Sequence, residues 1–197
     1  MAHHIYQTEG IVIRSFPEGE TSKYVEIFTR DLGMVGAHAT SIRAEKSKLR
    51  YALADYSLSL ISLVRGKLAW KIVNAVPGDN FFFEFKNDVL RRKAFVRILR
   101  LARKLIHGEE KNVILYETIM GALRALQDVA RTPEDIVDIQ LLAALRVLNH
   151  LGYGVPHQEL KQIALENGWE TEVLQVVNTL RSESKELIKR SLSETHL

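Results

Sequence analysis

Between Ser41 and Tyr51 the chain reads Ser-Ile-Arg-Ala-Glu-Lys-Ser-Lys-Leu-Arg-Tyr. Four cations, Arg43, Lys46, Lys48 and Arg50, face a single acid, Glu45, and the run ends on the ring of Tyr51. Cations spaced along a loop neutralise phosphates, and a ring among them stacks on a base. The same composition also describes a solvated lysine-rich loop. A second basic surface lies further on. Between Arg91 and Lys104 there is no acid. At about 100° per residue, Arg92, Lys93, Arg97, Arg100, Arg103 and Lys104 fall on one side of a helix. Ala94, Phe95, Ile98, Leu99, Leu101, Ala102, Leu105 and Ile106 fall on the other. An unbroken basic face repels itself and invites an anion. The other reading is that acids from neighbouring helices pair with it.

Charge along the chain agrees with these two surfaces. Met1–Lys104 holds 18 Lys and Arg against 10 Asp and Glu; Leu105–Leu197 holds 9 against 14. The front is therefore +8 and the rear −5, which gives the net +3. A polyanion on one side and a different partner on the other are expected.

Some chemistry is excluded. The 197 residues include no cysteine, so there is no disulfide, thiolate or cysteine-ligated metal. That composition fits a reducing, cytoplasmic interior. The seven histidines are scattered; His38, in an expected strand, reads as a satisfied side chain. There is no P-loop, dinucleotide glycine motif, His-Glu-x-x-His or nucleophile elbow. No catalytic residue, cofactor or metal site is expected. No apolar run approaches ~20 residues, so no membrane-spanning segment is expected, and the N-terminus lacks a signal pattern.

The elements that would carry these residues begin with strands. Tyr6–Ser15, Lys23–Arg30, Met34–Ile42, Tyr56–Val64 and Leu68–Val76 are rich in β-formers or alternate, with turn residues between them. Phe16–Glu20 is an expected turn, and Gly36 is expected to mark a bulge or bend. Five short strands match an oligonucleotide-binding (OB-fold) barrel, and an SH3-like barrel would give a similar count. Phe81, Phe82, Phe83 and Phe85 are expected to pack the barrel against the helical remainder. That remainder is expected to hold Asp88–Ile106, Asn112–Ala130, a helix capped by Thr132 with Pro133 at its first position, His157–Glu166, and one from Thr171 to Leu192. The expectation is an α+β protein, with an OB-fold domain over residues 1–78 and an all-α domain over residues 79–197.

Several segments in order resemble one family. They are Tyr6-Gln7-Thr8-Glu9-Gly10-Ile11-Val12-Ile13-Arg14, Gly19-Glu20, Ile27-Phe28-Thr29-Arg30-Asp31-Leu32-Gly33 and Lys46-Ser47-Lys48-Leu49-Arg50. This run is similar to the N-terminal domain of the bacterial RecO recombination mediators. Arg65-Gly66-Lys67 sits at the family's basic hairpin, and Leu151-Gly152-Tyr153-Gly154-Val155-Pro156 resembles its helix end. The resemblance implies an OB barrel that binds single- and double-stranded DNA and anneals complementary strands. With RecR, it implies loading of recombinase on DNA coated by single-strand-binding protein, whose acidic C-terminal tail is a further partner. Arg14, Arg43, Lys46, Lys48, Arg50, Arg65, Lys67 and Lys71 would contact phosphates and Tyr51 a base, with Arg92, Lys93, Arg97 and Arg100 as the helix site. The chain departs from the family in two places. It lacks the four-cysteine zinc module that comes after the Gly-Tyr-x-Pro turn in many members, so it reads as a short form. It also has Thr40-Ser41 where the family often has Lys-Gly. The alternative from another class is an adaptor whose barrel holds a protein and whose basic helix holds an acidic peptide.

Overall fold

The computed structural model describes residues 4–44, 47–67 and 69–194. Five strands come first: β1 (Ile5–Glu18), β2 (Ser22–Thr29), β3 (Gly33–Ala39), β4 (Ser57–Arg65) and β5 (Trp70–Asn80). A four-residue helix α1 (Leu49–Ala52) lies between β3 and β4. Pairing runs β1-β2-β3-β5-β4 and returns to β1, which closes the sheet into a barrel. All pairs are antiparallel except β3 with β5. One face of each strand fills the interior. Burial on β3 alternates strictly, with Val35, Ala37 and Ala39 inside against Val12, Val25, Ile27 and Ile61. Small residues on β3 suit the narrow space that a five-stranded closure leaves.

Three strand expectations need correction. β1 continues through Phe16 and Pro17 to Glu18, so the turn is later and uses Gly19 at φ +59°. β5 continues through Pro77 and Gly78, where Pro77 faces Ser59 beside a register shift that accommodates its missing N–H. Gly36 marks no bulge: its register with Glu26 is regular. Any Cβ there would collide with the hydroxyl of Tyr24, so Gly36 seats that ring. The bulge lies in β1, where Val12 faces Ile27 and Arg14 faces Glu26. Two β1 residues meet one β2 step, so Val12 points inward while Arg14 points outward, which a regular strand would forbid.

The chain forms two compact units. The first runs through Glu84 and takes in Ile106–Val113, so the division comes later than residue 78 and is not continuous in sequence. A short helix α2 (Phe81–Glu84) ends the first stretch. The segment 106–113 is fastened to the β2–β3 turn. Met34 N donates to Gly108 O at 3.0 Å, and Lys111 Nζ lies 2.7 Å from Asp31 Oδ1. Gly33, at φ +68°, leaves room for it, since a Cβ there would meet Glu110 O at 2.5 Å. The phenylalanine run is shared out. Phe81 is buried and Phe82 stacks on Tyr56 within the first unit, while Phe85 packs edge-on against Phe95 in the second.

The second unit is helical: α3 (Val89–Leu105), α4 (Val113–Gln127), α5 (Pro133–His150), α6 (Gln158–Leu165), α7 (Thr171–Thr179) and α8 (Arg181–Glu194). α5 is its axis, packed by α3, α6, α7 and α8. Its start is the expected cap: Thr132 Oγ1 accepts from Asp135 N at 3.1 Å, Asp135 Oδ2 accepts from Thr132 N at 2.9 Å, and Pro133 comes next. The single last helix expected from Thr171 is instead two, broken at Leu180. On either side of the break, Asn178 and Arg181 donate to Asp138, which is buried on α5. Arg146, also buried, donates to the carbonyls of Ile163 and Gly168 and lies 4.5 Å over the ring of Trp169. Burial pushes its guanidinium down to about 10, against the pull of Glu166 and Glu170.

Candidate nucleic-acid interface

The β3–β4 connection holds Arg43 and Arg50 with neutral groups. Arg43 N donates to Thr21 O at 2.8 Å, which ties the connection to the β1–β2 turn. Arg43 Nη1 reaches Gly19 O at 3.3 Å. Arg50 Nη2 donates to Arg43 O at 2.9 Å and Ala44 O at 2.8 Å, folding the loop around its own guanidinium. Carbonyls orient a guanidinium without cancelling its charge. Lys48 is exposed at the start of α1, and Tyr51 is 76% exposed. Lys46 lies outside the described residues. Ser41 opens this connection at φ +54°, a left-handed conformation that costs a side-chain-bearing residue energy. A glycine adopts that conformation freely.

The remaining barrel cations differ in how free they are. Arg14 is clamped by Glu26, Nε to Oε2 at 2.7 Å and Nη2 to Oε1 at 2.6 Å, and lies 4.4 Å over Phe16. The hydrogen bond to Glu26 raises its pKa further. Arg65 is paired with Glu109 at 2.7 Å and stands 5.0 Å over Trp70. Lys67, in the β4–β5 turn, is exposed. Lys71 is exposed on β5, in register with His38 of β3. His38 Nδ1 shares a hydrogen bond with Glu18, as expected of a satisfied side chain.

Two features were not anticipated from the sequence. Phe16, Tyr24 and His38 are in register across β1, β2 and β3, with Tyr24 edge-on to His38 at 5.3 Å. Lys23 lines a pocket with Ile42, Arg43 and Arg50. Alternation on β2, which puts Lys23 in line with the inward Val25 and Ile27, was the available signal.

On α3, Lys93, Arg97 and Arg100 are exposed. Arg97 reaches Gln140 Oε1 at 3.3 Å, and Arg92 donates to Lys86 O. Among the described residues no ion pair engages Lys93, Arg97 or Arg100; the unit's pairs include Arg91–Asp88, Arg131–Asp128 and Arg181–Asp138. Arg91 is bound inward, to Asp88 and to the carbonyls of Leu126, Asp128 and Arg131.

Among the described residues, no three His, Asp or Glu side chains are grouped to hold a metal ion. Nor, among them, is any helix long and apolar enough to cross a membrane.

These features define an α+β protein, a five-stranded sheet bearing cations on its connections and continued by several helices. Residues 1–70 match the family model described as Recombination protein O N terminal. Over that region the chain is similar to the N-terminal domain of RecO proteins.

Proposed function

We propose that this protein is a non-enzymatic recombination mediator. Its OB-type barrel binds single- and double-stranded DNA without reading sequence, and it anneals complementary strands. It works in the cytoplasm at the nucleoid with RecR, and helps load recombinase on DNA covered by single-strand-binding protein. The observation that carries this reading is the β3–β4 connection. Among the described residues its arginines are oriented by carbonyls and by no carboxylate, next to an exposed ring. The strand order supports it, because OB-type barrels bind oligonucleotides through the face of strands 2 and 3 and the loops between strands 1 and 2 and between strands 4 and 5. Annealing results if two strands are screened together while their base edges stay free to pair.

The test is fluorescence anisotropy with labelled single-stranded DNA across a salt series. If ~5 phosphates are neutralised, affinity falls on the order of 100-fold between 50 and 200 mM salt. No binding at low salt would sink the reading.

The exposed cations of α3, Lys93, Arg97 and Arg100, favour a second role as an adaptor. Without carboxylate partners they suit an acidic peptide, such as the tail of single-strand-binding protein. A pull-down of that protein that survives nuclease, weakened by charge reversal on α3, is the expected result.

A further inference from the structure

A pocket of about 290 Å³ opens between the β1–β2 turn and the β3–β4 connection, lined by Lys23, Ile42, Arg43 and Arg50. We infer that it is a seat for one phosphate group of a bound DNA strand, held at a fixed place in the barrel's mouth. This rests on the DNA-binding reading of the barrel and adds a discrete site to it.

Among the described residues that line it, three are cations and none is acidic. Each cation is held by a neutral group. Lys23 Nζ donates to Ser15 Oγ at 3.1 Å, and that hydroxyl donates to Asp55 Oδ1 at 2.7 Å. Arg43 and Arg50 are held by the carbonyls of Gly19, Arg43 and Ala44. Three like charges around one cavity repel, and an anion between them removes that cost. Their donors are oriented in advance, so little side-chain freedom is lost on binding. Ile42, buried to 2% exposure, supplies an apolar wall that limits water. The ligand class is therefore a small, strong hydrogen-bond acceptor with negative charge. A phosphate fits, and Arg offers it paired donors. This seat differs from Lys48 and Lys67, whose exposed ammonium groups track a phosphate backbone without fixing it.

The full chain, labelled for arginine Nε–Hε NMR, is titrated with inorganic phosphate, thymidine 5′-monophosphate and thymidine. Phosphate and the nucleotide are expected to shift Arg43 and Arg50, and thymidine is not. Lys23→Gln removes only a bond to Ser15. It is expected to weaken nucleotide binding about tenfold, as befits a charge-assisted hydrogen bond. It should also flatten the single-stranded DNA salt slope by about 0.7. Arg43→Gln should do the same, while Lys185→Gln, an exposed lysine on α8, should not. If phosphate and nucleotide leave both arginines unmoved while single-stranded DNA still binds Lys23→Gln with the parent slope, the seat is refuted and DNA binding stands. If they shift the arginines but DNA does not bind, the pocket takes free phosphate only, and the DNA reading falls together with the seat's use by a DNA strand.

Discussion

Arg14 and Glu26 face each other across β1 and β2 and share two hydrogen bonds of 2.7 and 2.6 Å. Strand register sets the pair, and the β1 bulge turns Arg14 toward it. A guanidinium with both prongs in a carboxylate has little left for a phosphate. Glu26→Gln therefore releases a cation onto the sheet's outer face. Its salt slope for single-stranded DNA should steepen by up to about 0.7, one added phosphate contact. Arg14→Gln in the parent should change it little. Anisotropy across a salt series checks both.

Tyr51 is exposed and outside the buried core. Tyr51→Ala should leave thermal stability unchanged. It should weaken single-stranded DNA binding by about 1–3 kcal/mol, the value of one stacked base. Tyr51→Phe keeps the ring and should bind like the parent. If alanine binds as tightly as tyrosine, the ring does not stack.

Ser41 holds a left-handed backbone at the entrance to the basic connection. Ser41→Gly removes the Cβ penalty, and should raise stability by about 1 kcal/mol by denaturant titration. A loss of stability would show that the serine side chain makes a contact worth more than the strain.

Asp138 is 1% exposed and accepts from Asn178 Nδ2 at 3.0 Å and from Arg181 at 2.9 and 2.8 Å. Arg181→Met strands that buried acid and should cost about 3–5 kcal/mol. Adding Asp138→Asn removes the orphaned charge and should recover more than half. A double variant no better than the single would show that the arginine acts by packing alone.

Asp31 titrates below its usual range, chiefly through the hydrogen bond from Lys111, with Thr8 helping and burial opposing. An acid depressed by folding contributes stability above its unfolded value, about 3.9. That contribution is lost as pH falls through the lower folded value. Lys111→Met should raise the Asp31 pKa in a carboxyl NMR titration and flatten the stability profile below pH ~4. An unmoved Asp31 would show that the pair is not formed in solution.

Period and turn residues carry much of the fold. Alternation marks the strands, and Thr132 with Pro133 marks the start of α5, because these signals are local. What stays hidden depends on partners distant in sequence. Nothing near Arg14 says that Glu26 will neutralise it, and nothing near Arg65 points to Glu109. The break at Leu180 has no proline or glycine to announce it; it sits between two donors to Asp138, on another helix. Lys23 reads only as a strand residue in the sequence, because its pocket forms when the β1–β2 turn meets the β3–β4 connection. The cations of the loop and of α3 are visible as types and spacing; which of them keep their charge free is not.

The return of residues 106–113 to the barrel has a consequence for inheritance. Lys111 and Glu109 supply partners to Asp31 and Arg65, so a gene fragment ending at Glu84 encodes a barrel without its fastening. Any exchange that moves the barrel intact between proteins must carry the chain as far as Val113. That length includes α3. The barrel and the basic helix are thereby one heritable module, although they belong to different compact units.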